Sequence, residues 1–396
     1  MRTMHNILLH GRLLVLCGAC VALVGCSSTD ESPPSAEDAL SETDSEATED
    51  EDSDEAALCP LPQCHELGEF WIGWDQEGQG QLKVWHQDKP ERAMWSAGGS
   101  SPLLSSAASE VEISESRGSF TIDVARADAC TKSRIQSIAL EDDNVLVSGL
   151  FDDCERSFTL TFSAIAARRL GFVIETESES NSAPHELLHL HWKSDASEAF
   201  FGFGAQYSAL NMKGRKLPIW CQEQGHGRGL EPMTDTLNEL SPGSGGDWHT
   251  SYTYVPYTLT NRNYAFLLEH NEYIEFDLQQ SESASVMVTS EVMRGQLLFG
   301  HTPAELVETY TEYAGRMSPL PDWSQSGAIV RSYGGSDAAY ARIEALEAVE
   351  GALAALWIED WVGTRQTPFG TRMWWNWVVD RTLYPDFEEM VETLSE

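Results

Sequence analysis

The chain has 396 residues, enough for two or three domains with sizeable cores. Its hydrophobic content of 41% is ordinary for a globular protein, but 63 acidic against 25 basic residues give a net charge of -38. That balance excludes a basic groove for nucleic acid and sets the surface against anionic membranes.

At the N-terminus, Arg2 and Arg12 precede the apolar run Leu13 to Gly25. The run is too short to span a bilayer and has the length of a secretory signal core. It ends Leu23-Val24-Gly25-Cys26, which resembles the lipobox of bacterial lipoproteins. Residues 1–25 are therefore expected to be a signal peptide, with Cys26 as the lipid attachment site. Ser27, not Asp, follows the cysteine. By resemblance to sorting in Gram-negative bacteria, the expected address is the cell envelope at the outer membrane. Between Thr29 and Glu55 lie thirteen Asp/Glu and no Lys or Arg. Such a stretch cannot build a core, and self-repulsion extends it, so 26–57 is expected to be a disordered acidic tether.

Eight cysteines are present, of which Cys17 and Cys20 leave with the signal peptide. Their spacing pairs Cys59 with Cys64 and Cys130 with Cys154 in an oxidising compartment. Cys221 is left over and expected to be buried. Past the signal peptide no cluster has zinc spacing, so no metal is expected.

From Leu58 to His301 short β-branched and aromatic runs alternate with Gly, Asn, Asp and Ser turns, predicting a large β-sandwich over 58–316. Examples are Gly68–Trp74, Gly118–Val124, Ser157–Phe162, Tyr264–Glu269 and Ser285–Val288. Thr302-Pro303 opens a helix to about Ala314, with Thr as cap and Pro in the first turn. Two blocks interrupt the sandwich: Phe201–Ser208 continuing through Pro218–Gly229, and Gly245–His249. Their glycines and aromatics fit a site loop or a structural Ω-loop equally. Gly202 and Gly204 lack the third glycine of a nucleotide fingerprint. His249 alone reads more simply as a packed or exposed histidine than as a ligand.

After Leu320-Pro321-Asp322-Trp323 the texture changes. Ser326–Tyr333 reads as a strand, Gly334-Gly335 as a turn and Ser336–Val349 as a helix. Ala354–Trp361 follows as a short buried strand, then a loop, then a helix over Pro385–Leu394. This is βαβα, the opening of a parallel α/β domain over 317–396. Alternation places Trp357, Glu359 and Trp361 on one face, a carboxylate flanked by indoles that suits a sugar.

At Phe201–Ser208, Pro218–Gly229, Leu320–Trp323 and Trp357–Trp375 the sequence resembles glycoside hydrolase family 31, and within it the sulfoquinovosidase-like branch. The resemblance implies a galactose-mutarotase-like β-sandwich followed by a (β/α)8 TIM barrel, here truncated after its opening βαβα. It implies retaining hydrolysis of an α-glycoside by two carboxyl groups about 5–5.5 Å apart, with no cofactor. Glu359 and Asp360 are not that pair, since neighbours in a strand face opposite ways. The resemblance puts the catalytic pair beyond Glu396, so no catalytic residue is expected in this chain. Carried over residue by residue, it makes Glu359 a contact for sugar hydroxyls, and Arg372 and Trp375 readers of a sulfonate. Tyr333 stands before Gly334-Gly335 where the branch has Gln or Lys, and Ala205 where the motif carries Glu. The expected partners are thus an α-glycoside, possibly anionic in this branch, and a membrane reached through the lipid. The alternative is a non-catalytic carbohydrate-binding lipoprotein or the product of a decayed gene.

Overall fold

The computed structural model describes residues 59–178, 183–368 and 370–395. The expected signal peptide, the tether and Cys26 lie outside the described residues. The described residues form one compact unit. Among the described residues no helix is long and apolar enough to cross a membrane.

Two antiparallel sheets make a β-sandwich. The eight-stranded sheet runs, edge to edge, through Phe200–Gly202, Tyr257–Thr260, Tyr264–Leu268, Val292–Phe299, Arg169–Ser178, Arg156–Ala166, Asn144–Phe151 and Ser133–Glu141. The six-stranded sheet runs through Lys216–Ile219, Ile274–Asp277, Ser283–Val288, Leu187–Lys193, Leu104–Ser116 and Ser119–Cys130. A four-stranded meander, Cys64–Leu67, Phe70–Asp75, Gln81–His86 and Trp95–Gly98, contributes to the same core. The cause is period-two patterning. In Asn144–Phe151 every second residue is buried, and the register continues the row Val145–Phe162–Phe172 across three strands. From the facing sheet Leu188, Leu190 and Trp192 enter the same core, where Trp192 stacks on Phe266. Both expected disulfides are present, with Cα separations of 6.1 Å for Cys59–Cys64 and 5.7 Å for Cys130–Cys154. Cys221 is exposed, contrary to expectation. It follows the edge strand Lys216–Ile219 into a surface loop, where its Sγ accepts from Tyr254 N at 3.4 Å.

The interrupting blocks are mainly architectural. After Gly202 the backbone turns left-handed at Phe203 and Gly204, which swings Phe203 into the core against Phe276. A Cβ at Gly204 would meet Thr253 O at 2.3 Å, so only glycine fits. Helix α1 (Met233–Leu240) was not legible in advance. Arg228 ties the loops around it, donating to Thr250 O at 2.8 Å and to Trp248 O, with its guanidinium over the Tyr207 ring. His249 is packed: Tyr254 Oη donates to its carbonyl, and Asp247 is 3.9 Å from Nε2. A cavity of 210 Å³ between this block and the hairpin tip at Ser116–Ser119 includes Arg117, Glu223, His226 and Tyr252, but none of the expected site residues.

Helix α2 (Pro303–Ala314) starts as read: Thr302 Oγ1 accepts from Glu305 N at 3.2 Å, and Pro303 opens the first turn. Beyond it, Ala328–Ser332 and Leu353–Ile358 pair in parallel across α3 (Ser336–Glu347), and α4 (Phe387–Ser395) follows. This is the start of a barrel-like βα arrangement. Where a loop was expected, Thr364–Thr367 and Gly370–Met373 form an antiparallel hairpin.

The second parallel strand differs from expectation in two ways. It is only half-buried, because among the described residues it has one strand neighbour and one covered face. It also ends at Ile358, not Trp361. The chain bends at Glu359 and turns at 361–362, which sends Trp361 to the helix side, stacked on Phe387. Trp357, by contrast, is 62% exposed on the open side. The carboxylate between two indoles is therefore not formed.

Candidate functional site

Alternation sorts the two parallel strands into a covered and an open face. Leu356 and Ile358 pack toward Ala339, Tyr340, Tyr384 and Phe387 on the helix side, and Ser332 is fully buried. Ile329, Arg331 and Tyr333 alternate with these, as do Ala355, Trp357 and Glu359 in register beside them. The open face thus carries two aromatics, an arginine and a carboxylate at the C-terminal ends of parallel strands, where barrel enzymes place their chemistry.

The backbone sets Tyr333 and Glu359 at neighbouring strand ends. Glu359 N donates to Ser332 O at 3.3 Å, so the residue after each strand lies beside the other. The Glu359 carboxylate accepts from Arg331 Nη2, a partner the sequence reading missed. The only sequence signal was its two-residue spacing from Tyr333; the register opposite Trp357 appears only in the fold. Arg372 and Trp375 belong to a separate segment. Arg372 lies on the hairpin, its Nη1 donating to Thr371 O at 3.3 Å. Trp375 is exposed, its ring 6.2 Å from that of Trp377. Neither bonds directly to Tyr333 or Glu359 among the described residues.

A buried knot fixes this edge. Asp360, 1% exposed, accepts from Gly334 N at 2.8 Å and from Tyr384 Oη. Tyr384 Oη in turn accepts from Gly335 N at 3.2 Å. Burial first, and then the Asp360 carboxylate, push the Tyr384 phenol well above its ordinary range. Gly335 has φ +90°, and a Cβ there would meet Leu383 O at 2.6 Å. The turn that ends in Tyr333-Gly334-Gly335 is thereby fastened to the strand end that offers Glu359. Among the described residues no cluster of His, Cys, Asp and Glu has the arrangement of a metal centre.

An N-terminal β-sandwich leading into parallel βα units, with polar and aromatic groups at the strand ends, is the architecture of a barrel-type glycoside hydrolase. No family model matches the chain. It is 30% identical over 243 residues to a sulfoquinovosidase of Agrobacterium fabrum, covering 61% of this chain and 36% of the relative. A sulfoquinovosidase of Escherichia coli is 26% identical over 282 residues, covering 69% and 41% respectively. The fold matches a family 31 sulfoquinovosidase from E. rectale, solved with an aza-sugar inhibitor, with TM-score 0.68 and 20% identity over 84% of this chain and 46% of that one. The chain is thus similar in sequence to two sulfoquinovosidases and in fold to a sulfoquinovosidase of glycoside hydrolase family 31. It spans 36% and 41% of the lengths of the two relatives.

Proposed function

We propose that this chain is the substrate-holding front of a retaining α-glycoside hydrolase whose substrate carries an anionic group, held at the cell envelope by a lipid on Cys26. The juxtaposition of Tyr333 and Glu359 on the open face, beside Arg331 and Trp357, carries the reading. Glu359, an acceptor held by Arg331, suits sugar hydroxyls, while exposed indoles cover the C–H face of a ring. Arg372 offers a guanidinium fork to an oxyanion, and Trp375 one N–H. Similarity to two sulfoquinovosidases supports the anionic substrate class. Retaining cleavage uses one carboxyl group as nucleophile and a second as acid then base, roughly 5–5.5 Å apart. Glu359 and Asp360 do not serve as that pair: Asp360 is buried on the helix side, committed to Tyr384 and Gly334.

The test is titration of the purified chain, by tryptophan fluorescence, with a methyl α-glucoside bearing a sulfonate at carbon 6, together with an assay for aglycone release from the corresponding nitrophenyl glycoside. Saturable binding supports the substrate reading, and release of nitrophenol supports hydrolysis. Binding without release is expected of this chain alone under either reading, since the resemblance puts the catalytic pair beyond Glu396, and no binding removes both. For the envelope address, Cys26→Ser should abolish incorporation of a labelled fatty acid. Unchanged incorporation would remove Cys26 from the reading.

A further inference from the structure

The hairpin register sets Arg365 directly opposite Arg372. Opposed residues in an antiparallel pair share a face, with Cβ atoms roughly 4.5–5.5 Å apart, and like charges placed this way oppose the pairing. Relief is easy to find in a chain with 63 acidic and 25 basic residues. Other arginines take it: Arg134 with Asp152, Arg331 with Glu359 and Arg381 with Glu388. Among the described residues neither Arg365 nor Arg372 has an ion pair, and both are exposed.

The hairpin is also firmly rooted. Gly363 N donates to Asp360 O at 2.9 Å, and Trp374 N donates to Gly363 O at 3.1 Å, closing the base. Val362 and Asp360 beneath it are buried. Two arginines without an ion pair among the described residues are thus paired across a short ladder that leaves the C-terminal end of the second parallel strand. Side-chain entropy and mutual repulsion both disfavour this arrangement in the free protein. An oxyanion between the forks would reverse the second term, since each fork can give two parallel N–H bonds.

We propose that Arg365 joins Arg372 in a two-guanidinium clamp for an oxyanion substituent of the glycoside, making Arg365 a specificity-determining residue. The proposal rests on the reading that this edge holds the substrate. The clamp chemistry fits a sulfonate, a sulfate ester or a carboxylate, and fits a neutral hydroxymethyl group poorly, because two cations would then stay unpaired.

The full chain is titrated at constant ionic strength with three probes: the methyl α-glucoside with a carbon-6 sulfonate, plain methyl α-glucoside and methanesulfonate alone. Wild type should prefer the sulfonated glycoside, and Arg365→Gln should cut that preference by roughly tenfold, as should Arg372→Gln. Arg365→Gln should melt no lower than wild type without ligand, since repulsion is removed. The clamp is overturned if Arg365→Gln retains the full preference. If wild type prefers neither glycoside yet binds methanesulfonate through Arg365, the clamp stands and the substrate reading falls. Equal binding of both glycosides, unaltered in Arg365→Gln, keeps the substrate reading and removes the clamp. No response to any probe overturns both.

Discussion

Tyr384 donates its hydroxyl to the buried carboxylate of Asp360, joining a residue that precedes α4 to the end of the second parallel strand. The same hydroxyl accepts from Gly335 N, and the other carboxylate oxygen takes Gly334 N. Three segments separated by up to 49 positions meet at one oxygen pair. Removing the phenol oxygen strands a buried carboxylate, a loss of about 1.5–3 kcal/mol for a hydrogen bond to a charged group. Tyr384→Phe should therefore loosen the 333–336 turn and the 359–363 bend before it affects the sandwich. Hydrogen exchange measures this: faster exchange at Gly334 and Gly335, with unchanged protection at Leu160 or Leu190, is expected. Uniform protection across all four would show that the knot does not hold the edge.

Arg372→Lys tests the proposed substrate class in this chain. Lysine keeps the charge but loses the planar fork that pairs two oxygens at once. A reader of an oxyanion should lose roughly tenfold in its preference for the sulfonated over the neutral glycoside. A neutral-sugar site should keep the same ratio, and that result would remove Arg372 from substrate reading.

Five histidines are held below their ordinary range chiefly by burial: His86, His185, His189, His191 and His249. His189 is pushed to about 3, with Arg126, His191 and Lys216 adding repulsion and its Nε2 buried without a partner. The unfolded chain protonates this histidine near 6.5, while the folded chain resists until about 3. Stability is therefore full above 6.5 and falls as the pH drops through that window. At pH 5 the contribution from His189 alone is ~2 kcal/mol lost. Thermal melts from pH 7.5 to 4.5 should fall steeply, and His189→Leu should flatten the slope. An unchanged slope in that variant would assign the acid sensitivity to other groups.

Much of this was legible because period-two burial writes itself directly into sequence. The expected strand Ser157–Phe162 lies in Arg156–Ala166, whose first half alternates buried and half-buried. Gly68–Trp74 and Tyr264–Glu269 recur as the strands Phe70–Asp75 and Tyr264–Leu268, buried on both faces, and Thr302-Pro303 marked its helix to the residue. The failures are equally physical. Ala354–Trp361 looks like one strand because its apolar run is continuous, but the run serves two masters. Through Ile358 it lines a sheet, and from Trp361 it packs under α4. Nothing in local propensity reveals that Asp360 is buried, since its partners Gly334 and Tyr384 lie 26 and 24 positions away. Arg331 was missed for the same reason: its role comes from a parallel register that links positions 28 apart. The hairpin that opposes Arg365 and Arg372 pairs two four-residue strands with little apolar alternation to announce them.

Gly204 provides the sharpest test of whether the Phe-Gly-Phe-Gly block is scaffold. Its φ of +82° is in the left-handed region, and a Cβ would lie 2.3 Å from Thr253 O and 2.8 Å from Val255 N. Backbone sits on that side, so no flexible side chain can swing away. The neighbouring Phe203 is already at φ +63° and fills the core against Phe276. Gly204→Ala should move the chain outward and unseat Phe203, and losing the burial of that ring costs about 3–5 kcal/mol at its limit. For a unit of this size each kcal/mol is worth roughly 2–4 °C, so a melting point lower by about 6 °C or more is expected. If the strand ends bind sugar as proposed, that binding should persist at temperatures where the variant is folded, because the block packs into the sandwich. A variant that melts like wild type but no longer binds sugar would reverse the assignment and make the block part of the site.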